Sequence, residues 1–404
     1  MDWSALLPEL IHQVAGRLLD TADLDCYMAL RAVCHNWRAA TADPTNTIDR
    51  RFRPHNWVML DYPSHGKDTH LLVNTETGRY HCRSMPMLRN YYVVSITVDG
   101  LLVLAGKVAP HAACVLNPFT GHMVRFKARM RPRVMAAAVS GSSPPYLVVY
   151  CHDYRKLYRA NPGSKEFVRY KKKYAYPLIR KVVQGCVAAD GHQGLLPPLP
   201  AAVLAKIADL MTPVVADLPY EEVNIALWKR CFLVESAGET LVVFKLGNRV
   251  EVFKLDKDGT TLERVKSIGN RAIFIGGFHR CLSLDADKLK FPSIQANCIY
   301  VTDRVASPCT DMYHLKDGEG EQGSIGAAPS ANLPTFLCNP LTAHPLTIIL
   351  LLSVYTFNRQ SGQVSKVLEH EDRLLEQLRS GELSLEDLIL RASQEGDTDA
   401  DDSI

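Results

Sequence analysis

Three stretches of this chain share one texture at one phase. "LLVNTETGRYHC" from Leu71, "CVLNPFTGHMVRF" from Cys114 and "LYRANPGSKEFVRY" from Leu157 each read as strand, Asn-centred turn, strand. Their anchors Asn74, Asn117 and Asn161 stand 43 and 44 residues apart. Tight hairpin turns need positive φ, which Asn and Gly tolerate, so a recurring Asn/Gly turn marks recurring hairpins. A period of about 40 to 50 residues with turn chemistry at fixed phase is the length of one four-stranded propeller blade. Further hairpins are expected at "VFKLDKDGTTLERV" from Val252, "FLCNPLTAHPLTI" from Phe336 and "YTFNRQSGQVSKV" from Tyr355. The 95 residues between Asn161 and Asp256 leave room for two blades. The expected body is therefore an all-β domain over residues 46–365, a β-propeller of six or seven blades. The competing reading is a β-sandwich of unrelated hairpins.

Residues 1–45 have a different character. Pro8 suits the first turn of a helix, where its missing N–H costs nothing. Behind it Leu10, Ile11, Val14 and Leu18 form an amphipathic stripe. Asp20 and Asp23 offer caps for a second helix, in which Leu30, Val33, Cys34 and Trp37 repeat at helical spacing while Arg31, His35 and Arg38 face elsewhere. So few residues make a marginal core alone, so the stripe is expected to dock on something. On periodicity alone these are equally ordinary core helices of the larger domain.

The order of residues adds a resemblance. Leu7-Pro8-Glu9-Leu10, then Ile11 and Leu18, then Val33-Cys34 followed by Trp37-Arg38, closely resembles an F-box. That family uses a compact helical unit to bind the linker subunit of SCF-type ubiquitin ligases. The resemblance implies that Leu7, Pro8, Leu10, Ile11, Leu18, Val33 and Cys34 supply the linker-facing surface, with Trp37 packing the module or bordering the contact. "FLVESAGETLVVF" from Phe232, "FKLDKDGTTLERVKSIGNRAIFIGG" from Phe253 and "NCIYVTD" from Asn297 resemble a plant family of F-box proteins with a KIB-type β-propeller, clear to about residue 315. That resemblance implies a substrate adaptor with a Skp-family linker, a cullin reached through it, and a protein target of unknown identity. The alternatives are a propeller acting outside any ligase, for example on a kinase, and a nucleic-acid-associated regulator.

Charge divides the chain the same way. The formal net charge of +3 is the sum of −3 over residues 1–45, +14 over 46–364 and −8 over 365–404. The last part reads as amphipathic helices through Val367, Leu368, Leu374, Leu375 and Leu378, a capping box at Ser384-x-x-Asp387, and an acidic tail over 366–404. It is expected to be a solubilising appendage, to rest on the basic domain, or to contact another protein. Eleven scattered cysteines without a C-x-x-C pair read as free thiols, with neither a disulfide framework nor a metal site. The longest apolar run near the C-terminal end, Leu346 to Tyr355, is half of the ~20 residues a membrane helix needs, and the N-terminus lacks a basic, apolar leader. An intracellular protein of nucleus or cytoplasm is expected, with no membrane partner.

Chemistry-bearing motifs are scarce. Gly318-x-Gly320-x-x-Gly323 lacks the strand before and helix after that a dinucleotide loop requires, and Glu319 and Glu321 would repel a pyrophosphate. It reads as a flexible loop. No nucleophile elbow, metalloprotease helix, P-loop or kinase set occurs, so the expectation is a non-catalytic chain without cofactor. The basic run from Ser164 to Lys181, with Tyr170, Tyr174 and Tyr176, reads as a solvated loop, since no nucleic-acid motif accompanies its charge. Residues 195–211 have a helical, apolar texture and read as a local insertion, with a second linker-binding element as the alternative.

Overall fold

A computed structural model of the chain describes residues 6–169, 231–325, 352 and 359–382, except 22, 46–48, 56, 61–67, 76, 98, 141–142, 152–155, 247–248, 257–260, 277–280, 289–292, 303–309, 317–318 and 381. Three short helices come first: α1 (Pro8–Asp20), α2 (Leu24–Ala32) and α3 (His35–Ala39). The strands that follow form a β-propeller.

Blade 1 is β1 (Trp57–Leu60), β2 (Thr69–Asn74) and β3 (Tyr80–Ser84). Blade 2 is the meander β4 (Tyr91–Ile96), β5 (Leu102–Gly106), β6 (Ala112–Leu116) and β7 (Met123–Arg129). Blade 3 repeats it with β8 (Val134–Val139), β9 (Leu147–Cys151), β10 (Lys156–Ala160) and β11 (Val168–Arg169). Blade 4 is β12 (Cys231–Ser236), β13 (Glu239–Leu246), β14 (Arg249–Leu255) and β15 (Leu262–Arg264). Blade 5 contains β16 (Arg271–Gly276), β17 (Cys281–Asp285), β18 (Cys298–Thr302), β19 (Thr310–Lys316) and β20 (Glu319–Ile325), in the order β17-β16-β18-β19-β20. Its last strand also pairs with the first half of β14, so the outer edge of blade 4 is shared between β15 and β20.

Burial along the strands follows their place in the blade. Central β5 is a continuous apolar run, buried except at its last residue, as a strand covered on both faces must be. Outer β7 alternates, with Phe126 and Ala128 turned in and Arg125 and Lys127 exposed.

The anchors fall where the repeat places them. Asn74 closes β2–β3, Asn117 closes β6–β7 and Asn161 closes β10–β11; Asp256 occupies the same phase between β14 and β15. Asn117 Oδ1 accepts from the Phe119 and Thr120 amides, and Gly121 supplies φ +74. By this phase β1 is the counterpart of β5, β9 and β13, so the described part of blade 1 lacks an equivalent of β4, β8 and β12.

Asn117 does one thing that Asn161 does not. Its Nδ2 donates to the Phe52 carbonyl at 2.6 Å in a buried site, whereas Asn161 Oδ1 serves its own turn through Gly163 and Ser164. Asn117→Ala is therefore expected to lower unfolding free energy by about 2–3 kcal/mol and Asn161→Ala by about 1 kcal/mol. Urea midpoints of the two variants check the difference; equal losses would mean that the tie to Phe52 contributes nothing.

Four buried clusters join the blades. One packs α1 and α2 with blades 1 and 2, a second joins blades 2 and 3, a third joins blades 4 and 5. The fourth sets β1 and β2 against β16, β17 and β18, with Leu352 among them, so blade 5, last in the chain, packs on blade 1. A fourth helix, α4 (Arg359–Ser380), lies along β4 and touches β8.

Several expectations change. The described residues form five blades, not six or seven. Of the interval after Asn161, which has room for two blades, residues 170–230 lie outside the described residues, as do the stretch 195–211, most of the basic run, the hairpin expected at Phe336 and the capping box at Ser384. The second part of the hairpin expected at Tyr355, from Arg359 on, is instead the start of α4: Val364 and Leu368, one helical turn apart, both bury against blades 2 and 3. The expected boundary at 365/366 thus falls inside a helix. The Gly320/Gly323 segment is strand β20, not a loop, because it pairs along its length with β19 and, over Glu319–Glu321, with β14 on its other edge.

Candidate protein-docking surface

The N-terminal helices are two-faced. On α1, Ile11 and Ala15 are buried one turn apart, with Leu18 and Leu19 half-buried beside them. Asp23 caps α2, its side chain accepting from the Cys26 amide, and Leu24, Tyr27 and Leu30 turn into the same core. The ring of Tyr27 packs on Phe52, and its hydroxyl donates to the Ala42 carbonyl at 2.7 Å.

The second helix differs from its expected form. Cys34 is extended, with φ −157 and ψ 175, and splits it into α2 and α3. Arg31, expected to face elsewhere, is buried and explains the break. Its Nη1 donates to the carbonyls of Thr41 (2.8 Å) and Ala42 (2.7 Å) and to Thr41 Oγ1 (3.0 Å). These carbonyls follow the end of α3, where intrahelical donors run out. A folded-back α3 satisfies them; a straight continuation would carry them away from Arg31.

A charged joint fastens the module to blade 1. The Arg79 guanidinium reaches from β2–β3 to Asp23, to Asp25 at 3.0 Å and to Cys26 Sγ at 3.0 Å, and His81 Nε2 lies 2.9 Å from Asp25. Burial pushes the Asp25 carboxyl up, reinforced by Asp23 alongside. Burial works the same way on Asp23, but hydrogen bonds from Asp25 and Arg79 outweigh it and leave that carboxyl lowered. Asp23, Asp25 and Cys26 converge closely enough to suggest a cation site, and the cation they hold is this guanidinium. Cys26, Cys34, Cys82, Cys114, Cys151, Cys281 and Cys298 are free thiols; burial pushes Cys26 and Cys114 up and Cys298 up to about 11, the reverse of what a reactive thiolate needs.

What remains outside is apolar. Leu7 (62% exposed), Leu10 (43%) and Val14 (48%) lie at i, i+3 and i+7 along one face of α1 and its cap, and Val33 (56%) follows the end of α2. Of the residues singled out in the sequence, Leu7, Pro8, Leu10 and Val33 are exposed, Leu18, Cys34 and Trp37 are half-buried, and Ile11 is buried against the propeller. Val14 belongs to the exposed face although its place in the stripe had not marked it as a contact residue; its spacing from Leu7 and Leu10 is the signal. Among the described residues, half of the exposed large apolar side chains sit on this small module. An apolar face left open on a module already anchored elsewhere marks an interaction site. No described helix is long and apolar enough to cross a membrane.

A β-propeller carrying such a module defines the class: a protein-interaction domain. Residues 72–327 match the model of the KIB1-4 beta-propeller family, which is more than half of the chain. The chain belongs to that family. None of the curated proteins matches it. Among solved structures, a structural genomics protein of unknown function from Bacteroides thetaiotaomicron VPI-5482 is similar at 12% identity over 65% of this chain and 57% of that one, with a TM-score of 0.22. An S. cerevisiae assembly of Dbp5 bound to Nup159, Gle1, IP6 and ADP is similar at 11% identity over 67% of this chain and 74% of that one, with a TM-score of 0.18. The chain spans little more than half the length of the first, and likenesses this shallow support no reading of fold or function.

Proposed function

We propose that this chain is the substrate-recognition subunit of an SCF-type ubiquitin ligase. The outer face of α1 with Val33 binds a Skp-family linker, the linker brings the cullin, and the propeller holds a protein target. The observation that carries this reading is the exposed set Leu7, Leu10, Val14 and Val33 on helices whose other face is committed to blades 1 and 2. Aliphatic anchors with few charges suit the core of a stable interface. The chain itself forms and breaks no bonds. It works by position: a target tethered beside the charged conjugating enzyme presents its lysines at a raised effective concentration. Such work places the protein in the cytoplasm or nucleus.

Co-purification of the full chain with the linker and cullin tests the proposal. The wild type is expected to form a stable complex, and Leu7→Asp with Leu10→Asp to weaken it about a hundredfold or more, as removal of two central anchors does. Because both side chains point to solvent, thermal melting should stay near wild type. A wild-type chain that ignores the linker, or a double variant that binds as well as wild type, overturns the ligase reading.

A further inference from the structure

Helix α4 returns to the propeller from far along the chain, and its grip is mostly polar. Among its described side chains, Val364 and Leu368 are the ones fully buried in the apolar core of blades 2 and 3. The Arg129 guanidinium spans two carboxylates, Glu371 at 2.8 Å and Asp372 at 2.5 Å, and donates to the Leu368 carbonyl at 3.2 Å. Arg133 holds Glu369 at 2.5 Å, and its amide donates to Ser365 Oγ at 2.7 Å. His111, buried, sets one ring nitrogen 2.8 Å from the Gly106 carbonyl and the other 2.7 Å from Glu371.

Two further features set this place apart. His111 (φ 53) and Arg133 (φ 51) both adopt left-handed backbone; histidine tolerates it better than most residues, arginine does not, and such strain gathers at binding sites. The cations also extend beyond the helix. Arg125, Lys127, Arg129, Arg131 and Arg133 recur at every second position, and Arg125 and Lys127 are exposed. Past Asp372, most side chains of α4 are exposed, Leu375 among them.

We propose that this basic surface of blade 2 is a docking site for an acidic amphipathic helix of a partner protein, and that α4 is its internal occupant, displaced when the partner binds. The occupant states the chemistry of the ligand: aliphatic residues at i and i+4, where i is Val364, and carboxylates at i+5, i+7 and i+8. Half-exposed ion pairs are weak and screened by salt, so one acidic helix can replace another on the same arginines. This surface would bind whether or not the N-terminal helices engage a linker, so the two readings fail separately.

The test uses the full chain and, as probe, a fluorescent peptide with the sequence of residues 359–380, read by anisotropy. Wild type, with α4 in place, should bind it weakly. Glu371→Gln with Asp372→Asn releases the internal helix and should tighten peptide binding about tenfold or more, as when a competent state becomes populated. Glu369→Lys, opposite Arg133, is a second release variant with the same expectation and guards against misfolding of the first. Adding Arg129→Ser to either should return binding to the wild-type level or below. If neither folded release variant binds more tightly than wild type, or if Arg129→Ser leaves the tighter binding intact, the proposal is wrong.

Discussion

Replacing Arg53 by Met is expected to lower the unfolding free energy by about 3–5 kcal/mol, a large share of the stability of an ordinary domain. Arg53 sits between the helical module and blade 1, only 2% exposed. Its Nη1 donates to Asp99 at 2.6 Å and to the Val139 carbonyl at 2.9 Å, and its Nη2 donates to the Ser140 carbonyl at 2.9 Å. One guanidinium thus ties the entry of the propeller to the β4–β5 turn of blade 2 and the β8–β9 turn of blade 3. Methionine fills much of the space but leaves two carbonyls without this donor and a mostly buried carboxylate with only His55, 3.6 Å away, and it is the poorly paired charge that costs most. Adding Asp99→Asn removes that charge and should recover part of the loss. Urea unfolding of the single and double variants measures both effects; a single variant as stable as wild type would remove Arg53 from the account.

Gly100→Ala should be nearly as severe, at about 3 kcal/mol, for a steric reason. Gly100 has φ +77 in the turn between β4 and β5, and a Cβ there would lie 2.1 Å from the Pro54 carbonyl oxygen. Backbone cannot yield as a flexible side chain can, so the turn must separate from the Arg53–Pro54 segment, and the Asp99 contact moves with it. Gly121→Ala is the control. It has a similar φ of +74 but nothing within 4 Å of the added carbon, so it should cost only about 1 kcal/mol of backbone strain. Thermal melts that lower both equally would show that conformation, not the contact with Pro54, sets the cost at Gly100. Because Gly100 and Arg53 act at one joint, their losses should not add when combined.

Hairpins closed by local chemistry were legible in the sequence. Asn74, Asn117, Asn161 and Asp256 each satisfy their turn within a few residues, so their phase survives as a pattern. Features set by distant partners were not. The break at Cys34 depends on Arg31 finding carbonyls ten residues away, and periodicity through Leu30, Val33 and Trp37 hides it. The segment after Tyr355 carries Asn358 and Gly362, turn residues both. Gly362 lowers helix propensity by about 1 kcal/mol, which the burial of Val364 and Leu368 and the arginines of blade 2 offset. The Gly320/Gly323 segment is a strand only because two neighbours pair with it.

The docking surface shows the same division. Leu10 and Val14 were readable as part of an apolar stripe, and Leu7 and Val33 through the F-box resemblance, yet the stripe alone did not separate its two faces. Ile11 belongs to the core and Val14 to the surface because the propeller takes one side of α1. The row of cations ending at Arg133 drew no notice in the sequence, because the acids that meet it lie more than 230 residues away, beyond any local pattern.

Hydrogen–deuterium exchange of the full chain with and without the Skp-family linker tests the central claim most directly, because it reads every part of the module and propeller at once. The account predicts new protection in α1 and in the residues around Val33, with the exchange of blades 1 to 5 unchanged. Protection confined to propeller strands or loops, with α1 exchanging as in the free chain, would contradict it.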